Sequence, residues 1–393
     1  MNRYFADMHI HIGADSDDSP VKITASKKLN FNNIAIESLE RKGLDMVGII
    51  DSASPLVIKD IERALKSGEM HEDSEGGIRY NERLVILLGA ELESREKNGG
   101  QAHYLSFFPY LDSIKEFSEI ISEYITNINL STQSTGLSGS EIFQIVKACN
   151  GIFIPAHVFT PHKSFYGNCF NTYSEIFTEK EWHDIPAIEL GLSADTEMAD
   201  RLLELHDKTF LSNSDAHSLP KIAREYNILE MKKLNFKEFV LALKRKDKRR
   251  VYANYGLNPG LGKYHRTYCM DCDKSFDLDY PVLKCPECGG NNLVIGVKDR
   301  ILQISKLNKS LKVEHRPEYI HQVPLLNIPG IGKKTHERLL EKYGTEMNVL
   351  HNADIDDLKD DFGKKIALNI IKARKGKQNI IAGGGGKYGK VMG

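Results

Sequence analysis

From the start of the chain to about residue 255, short apolar, β-branched runs alternate with amphipathic stretches. The runs at 4–9, 45–51, 84–91, 103–108, 151–157, 187–190 and 209–214 predict strands. Between them, apolar residues recur at helical spacing over 33–42, 56–67, 113–125, 139–149 and 196–207. Repeated strand–helix units imply an α/β fold with a mostly parallel sheet covered by helices, and about seven units in ~250 residues fit a barrel better than an open sheet.

Beyond residue 255 the pattern changes. Residues 264–297 carry paired cysteines, 322–377 read as an all-α module, and 378–393 form a glycine-rich tail expected to be a disordered end, with the alternative that its Lys387-Tyr388 pair clamps a nucleic-acid strand. The Ser-, Thr- and Gly-rich stretch 131–140 reads as a surface loop, and 244–250, with six basic residues in seven, as a solvated helix end. The net charge of −1 over 393 residues argues neither for nor against a nucleic-acid partner. No leader pattern and no apolar run near the ~20 residues of a bilayer span occur, so a cytoplasmic protein without a membrane partner is expected. Of six cysteines, four form two Cys-x-x-Cys pairs while Cys149 and Cys169 stand alone, which suits a metal site in a reducing compartment.

Chemistry gathers where the predicted strands end. Asp7-Met8-His9-Ile10-His11 and Ser214-Asp215-Ala216-His217 each follow an apolar run. Residues two apart on a strand share a face, so His9 projects with His11 and Asp215 with His217. Crowded imidazoles repel when charged and cost desolvation when buried, and a cation removes both problems. Glu91, His103 and His157 also lie at strand ends. Together His9, His11, Glu91, His103, His157, Asp215 and His217 could ligate at least two ions, with Glu91 as the natural bridge. Such mixed ligands suit Zn, Mn or Fe better than Mg alone. A single strand-end histidine is usually just packed or solvated, and the other nine histidines are assigned to that class.

In this order, His9-x-His11, Gly89-x-Glu91, His103, Pro155-x-His157 and Asp215-x-His217 resemble the polymerase and histidinol phosphatase (PHP) superfamily over roughly residues 1–255. The resemblance implies a distorted (β/α)7-type barrel, two or three divalent ions (Zn, Mn or Mg), and Asp215, Glu91 and His157 at the centre of a phosphoesterase reaction. One position departs from the pattern: the second motif, usually Asp-His, is Asp51-Ser52, so a third ion depends on Asp51. An Asp often follows the first histidine pair, and Asp15, Asp17 and Asp18 are all candidates. Asp7 is a candidate to support the ligands.

Cys269-x-x-Cys272 and Cys285-x-x-Cys288, twelve residues apart, read as two knuckles of a zinc ribbon holding one structural Zn²⁺. The plain reading is a staple for a segment too small to hold a core. Pro329-Gly330-Ile331-Gly332-Lys333-Lys334 before a helical pattern resembles a helix-hairpin-helix motif, with Gly330 and Gly332 turning the backbone and Lys333 and Lys334 adding charge for phosphate. The plain reading there is an ordinary helical hairpin. A weaker second copy begins at 361–365. Lys27, Lys28, Lys221 and Arg224 are candidates to hold a phosphate beside the metals.

Barrel, ribbon and hairpin in this order resemble the endonuclease Q family of DNA-repair nucleases over essentially the whole chain. The resemblance implies double-stranded DNA with a damaged base as partner. It implies a nick 5′ of a deaminated base (uracil, hypoxanthine or xanthine) or of an abasic site, leaving a 3′-hydroxyl and a 5′-phosphate. Nothing points to an obligate protein partner, and such a protein is expected at the nucleoid. The loop 157–170, with Phe159, Phe165, Tyr166 and Asn168, either forms a lesion pocket or covers the barrel end. Two rival functions are a histidinol-phosphatase-like enzyme of small molecules and a DNA-binding scaffold with an inactive barrel.

Overall fold

The computed structural model describes the chain except residues 277, 279, 308, 384, 385 and 393. Asp277 and Asp279 of the cysteine module and Gly384, Gly385 and Gly393 of the tail therefore lie outside the described residues.

β1 (Asn2–Ile10) is buried on both faces over its second half. It runs parallel to β2 (Met46–Ile49). A short hairpin, β3 (Met70–Glu72) with β4 (Ile78–Tyr80), precedes β5 (Leu84–Glu93), which lies parallel to β2 and antiparallel to β4. β6 (His103–Phe108) is antiparallel to both β5 and β7 (Ile152–Pro155). β8 (Ala187–Glu189) is parallel to β9 (Thr209–Leu211). Val158 N donates to Glu189 O (3.0 Å), and beyond β9 the chain returns to β1 through His11 N to Ala216 O and Ala216 N to His9 O, both 3.1 Å. These links close a circuit β1-β2-β5-β6-β7-β8-β9.

The mostly parallel sheet expected from the sequence is interrupted at β6. Residues 94–102 are fewer than the dozen a parallel crossover needs, so β6 returns antiparallel. The reversal matters for the site. Glu93 at the end of β5 is in register with His103 at the start of β6, so His103 reaches the mouth where β5 ends.

Outside the circuit, β10 (Tyr226–Met231) pairs with the first half of β1 and β11 (Arg250–Leu257) with β10, both antiparallel. The chain then builds a three-stranded sheet of β12 (Tyr268–Cys269), β13 (Lys274–Ser275) and β14 (Leu293–Val294), and returns as β15 (Glu318–Gln322), parallel to β11. The large sheet thus takes in a strand well beyond residue 255. The basic run 244–250 is not wholly solvated: Arg245 donates to Thr209 Oγ1 (2.6 Å), and Arg249 grips Glu238 (2.7 and 3.0 Å).

The C-terminal helices Lys333–Tyr343, Glu346–His351, Ile355–Phe362 and Lys364–Arg374 dock on the barrel. Buried Lys42 meets Glu346 at 2.7 Å, and Glu346 also meets His336 at 2.8 Å. Tyr226 OH donates to His351 Nε2 at 2.7 Å; burial pushes that imidazole down to about 4, with help from Arg374, and so keeps it neutral. The expectation of a disordered tail is corrected for its described part: β16 (Ile380–Ile381) and β17 (Lys390–Val391) pair antiparallel. No helix among the described residues is long and apolar enough to cross a membrane.

Candidate metal centre

Strand ends carry the ligand atoms. His9, His11 and Asp215 offer three that lie within 4.8 Å of one another, and Glu91, His103 and His157 offer a second such set. Glu91 joins the sets: Oε1 stands 3.1 Å from His103 Nδ1, 3.4 Å from His157 Nε2 and 3.6 Å from His9 Nε2, while Oε2 is 3.6 Å from His11 Nε2. Asp215 Oδ1 lies 3.5 Å from His9 Nε2 and 3.3 Å from His11 Nε2. His217 sits beside them, its ring 4.5 Å from that of His11, with Nδ1 3.1 Å from Asp215 O. A cavity of about 480 Å³ opens onto His11, Glu91, His103, His157, Asp215 and His217.

The donor set fits divalent ions. His9 Nε2 and His103 Nδ1 are buried without a hydrogen bond among the described residues, although carboxylates stand close. Atoms that approach one another without aligning as donor and acceptor are arranged as ligands of a shared point. Burial opposes ionisation of Glu91 and Asp215. Even so, His103 and Lys22 around Glu91, and His11 and His9 around Asp215, hold both carboxyls well below the usual range. His157 (φ 28°) and Asp215 (φ 47°) occupy the left-handed region, strain of the kind found at functional sites.

Behind the imidazoles stand carboxylates that orient them. Glu189 lies 3.0 and 3.1 Å from His9 Nδ1 and accepts from His157 N (2.9 Å) and Asn213 Nδ2 (3.0 Å). Sequence reasoning missed this residue. The available signal was one acid inside the apolar run Ala187-Ile188-Glu189-Leu190, where a buried carboxylate must have partners. Glu93, also missed, faces His103 Nε2 at 3.3 Å and Lys163 at 2.6 Å; its two-residue spacing from Glu91 was the signal. Asp7 behaves as expected of a supporting group: it accepts from Ser214 N (3.0 Å) and Ala223 N (2.9 Å), and burial raises it to about 6.

Several expectations are corrected. Asp51 stands behind His11 and outside the cavity lining, its oxygens taken by His11 Nδ1 (3.1 and 3.2 Å), Ile12 N (2.6 Å) and Ser131 Oγ. It orients His11 rather than ligating. Ser52 donates to Ile49 O (2.7 Å). Asp15 caps its own loop through Ser19 N (2.7 Å), Asp17 pairs with Arg63 (2.9 Å), and neither they nor Asp18 line the cavity. Lys27, Lys28 and Lys221 are exposed and outside the cavity lining; the cation beside Glu91 is Lys22, 3.3 Å from Oε2. Arg224 is spent on backbone, donating to Ser214 O (2.6 Å) and Asp215 O (3.3 Å). The stretch 131–140 is no plain surface loop: Thr132 Oγ1 donates to Glu91 Oε2 at 2.8 Å. Phe159, Phe165 and Tyr166 are fully buried, Phe165 against Phe177 and Trp182 and Tyr166 against Phe159 and Phe165, so they cover the barrel end and form no exposed wedge. Asn168 is exposed and accepts from Ser164 N (3.1 Å).

In the cysteine module, Cys269 Sγ stands 3.9 Å from Cys288 Sγ and Cys272 Sγ 3.7 Å from Cys285 Sγ. Four sulfurs at ~2.3 Å from one zinc would stand about 3.8 Å apart, so this cage fits a tetrahedral ion. In the helical module Gly330 takes φ +93°, and Lys333 and Lys334 are exposed on the first turn of the helix that follows Gly332. Gly363 (φ +85°) repeats the device before Lys364–Arg374.

A circuit of strands gathering imidazoles and carboxylates at one mouth, joined to paired helical hairpins, defines an α/β barrel with a candidate two-ion centre and a C-terminal helix-hairpin-helix module. The family model for the SAM-like helix-hairpin-helix tandem matches residues 323–375. An uncharacterized protein of Bacillus subtilis, YqxK, is 44% identical over the full length of both chains. The crystal structure of the lesion-specific endonuclease PfuEndoQ from Pyrococcus furiosus matches at a TM-score of 0.84 with 32% identity, covering 99% of this chain and 95% of that one. Endonuclease Q bound to a 27-mer duplex with an abasic lesion at the active site matches at 0.82, also with 32% identity, covering 99% and 96%. The chain belongs to the endonuclease Q family.

Proposed function

We propose that the protein is a metal-dependent DNA-repair endonuclease that hydrolyses the phosphodiester 5′ of a deaminated base or abasic site, leaving a 3′-hydroxyl and a 5′-phosphate. The observation that carries this reading is the pair of ligand sets joined by Glu91, in a chain that matches lesion endonucleases over its whole length. His9, His11 and Asp215 would hold one ion and Glu91, His103 and His157 the other, with His217 at the rim. Divalent ions there supply the charge that activates water and steadies a phosphodiester in in-line displacement. The chain's own part is to present imidazole nitrogens and ionised carboxylates at fixed angles. Glu189 and Asp51 hold the Nδ1 side of His9 and His11, which turns each Nε2 toward the shared point. Lys22 adds positive charge at the wall where a phosphate would enter.

We further propose a division of labour: the barrel of 1–255 for chemistry, a zinc ribbon at 264–297 with Cys269, Cys272, Cys285 and Cys288 on one structural Zn²⁺, and the module at 322–377 gripping the DNA backbone through Gly330, Gly332, Lys333 and Lys334. The test is a panel of single-lesion duplexes with Mn²⁺ or Mg²⁺. Nicking beside uracil, hypoxanthine or an abasic site, with the undamaged duplex spared, is expected; equal cutting of all duplexes refutes lesion specificity. Asp215→Asn should abolish nicking while DNA binding persists, and surviving activity would remove Asp215 from the centre.

A further inference from the structure

The described part of the glycine-rich tail folds back onto residues 260–263. Gly383 N donates to Gly260 O (2.7 Å), Gly386 N to Lys263 O (3.2 Å) and Gly389 N to Leu261 O (2.9 Å). Closeness requires glycine at Gly383 and Gly389, whereas Gly386 takes the left-handed region at φ +80° with open space around it. A Cβ on Gly383 would stand 2.6 Å from Gly389 N and 2.8 Å from Gly262 O, and one on Gly389 would collide with Ile381 O. This hairpin is therefore built to lie against residues 260–263 and to present what it carries.

What it carries is Lys387 and Tyr388, both exposed, the Tyr388 ring by nearly half. Lys263 Nζ sits 5.8 Å from the centre of that ring and 4.9 Å from the centre of the Tyr264 ring. Tyr264 in turn meets the exposed His162 edge-on, with ring centres 5.5 Å apart. His162 and Lys163 line the metal cavity. A row of rings and ammonium groups thus runs from the mouth of the cavity out to the tail.

We propose that this row is a binding surface for unpaired nucleotides of a DNA strand leaving the metal cavity, with bases stacking on Tyr388 and Tyr264 and phosphates meeting Lys263 and Lys387. The inference deepens the nuclease reading and rests on it. Every base has a π-face, so stacking is indifferent to sequence, and interleaved cations follow the backbone. Tyr388 stays half-exposed on a closely packed hairpin with the Lys263 ammonium beside its ring, which leaves the ring accessible as a stacking platform requires.

The experiment measures fluorescence anisotropy of a labelled oligothymidylate with the full-length holoprotein, alongside nicking of an abasic duplex. Tyr388→Ala should weaken oligothymidylate binding about 5- to 150-fold, the range for loss of one stacked base. Tyr388→Phe should bind as the wild type. Lys387→Ala should reduce the dependence of log affinity on log salt by about 0.7, the value for one phosphate on a single strand. Thermal melting of each variant separates loss of binding from loss of fold. If Tyr388→Ala binds as tightly as a wild type that nicks the abasic duplex, the surface is refuted and the nuclease reading stands. If the wild type neither binds nor nicks, the nuclease reading falls and the surface with it.

Discussion

Glu189→Gln tests whether the carboxylates behind the imidazoles make the centre. The change is nearly isosteric and replaces one acceptor oxygen by an NH₂ donor. In the native chain Oε1 lies 3.0 Å from both His9 Nδ1 and Asn213 Nδ2, and Oε2 3.1 Å from His9 Nδ1 and 2.9 Å from His157 N. Either orientation of the amide sets a donor against a donor. Facing His157 N it meets a backbone N–H. Facing Asn213 it meets an NH₂ that cannot turn over, because Asn213 Oδ1 already accepts from Met8 N (3.1 Å) and Asn227 Nδ2 (3.0 Å). One buried donor left unpaired costs about 1–3 kcal/mol. The loss falls on the peptide carrying His157 or on the orientation of His9, so metal affinity should drop on the order of 10- to 100-fold. Competition of the metal-free protein with a chromophoric chelator reads this directly, and single-turnover nicking at saturating metal should recover most of the wild-type rate. A metal affinity within twofold of wild type would refute the claim that Glu189 positions the ligands.

Three further outcomes are expected. Gly330→Val forces a β-branched residue into φ +93°, and should weaken duplex binding about tenfold while leaving the metal content of the barrel unchanged by mass spectrometry. Cys272→Ser removes one corner of the sulfur cage, and zinc per chain should fall by one with increased proteolysis confined to 264–297; unchanged zinc would argue against the cage. His351 is held neutral with its folded value lowered from 6.5 to about 4, so its contribution to docking is present above pH 6.5 and lost as pH falls from there toward 4. Hydrogen exchange in Glu346–His351 should accelerate across that window and His351→Phe should flatten the response; acid acceleration undiminished in His351→Phe would exclude this histidine as its source.

How much of this was legible depended on whether a residue's type settles its direction. His9, His11, Glu91, His103, His157 and Asp215 were readable because apolar strands that end in paired imidazoles and carboxylates have few other uses. Asp51 was visible as a strand-end carboxylate, but only the fold shows that it reaches His11 from behind instead of facing the cavity. Glu189 was legible only to someone asking who would satisfy a lone acid in an apolar strand. The reversal of β6 was hidden because antiparallel return is a matter of loop length, and Glu93 remained unseen with it. Phe159, Phe165 and Tyr166 left two readings open, because a loop rich in rings can be a contact surface or a cover, and only the packing of Phe165 on Phe177 and Trp182 decides for the cover. Glycine in the tail read as freedom, where the structure uses it for close approach.

The joint between barrel and helical module explains why these parts share one chain. A flexible linker would raise only the local concentration of a DNA grip near the centre. Here Lys42, Glu346 and His336 meet in a buried cluster, and His351 sits between Phe5, Tyr226 and Tyr255, with ring centres 4.7, 5.9 and 5.0 Å away. Buried ion pairs are poor sources of stability, because desolvation offsets most of their attraction. Their directional contacts do define one arrangement among many that an apolar interface of the same area would tolerate. On the proposed function, fixing Gly330 and Gly363 relative to Glu91 and Asp215 would fix which phosphate can reach the centre once the module grips a DNA backbone. If the proposed cut at a set offset from one damaged nucleotide holds, that constancy matters more to it than a tighter grip.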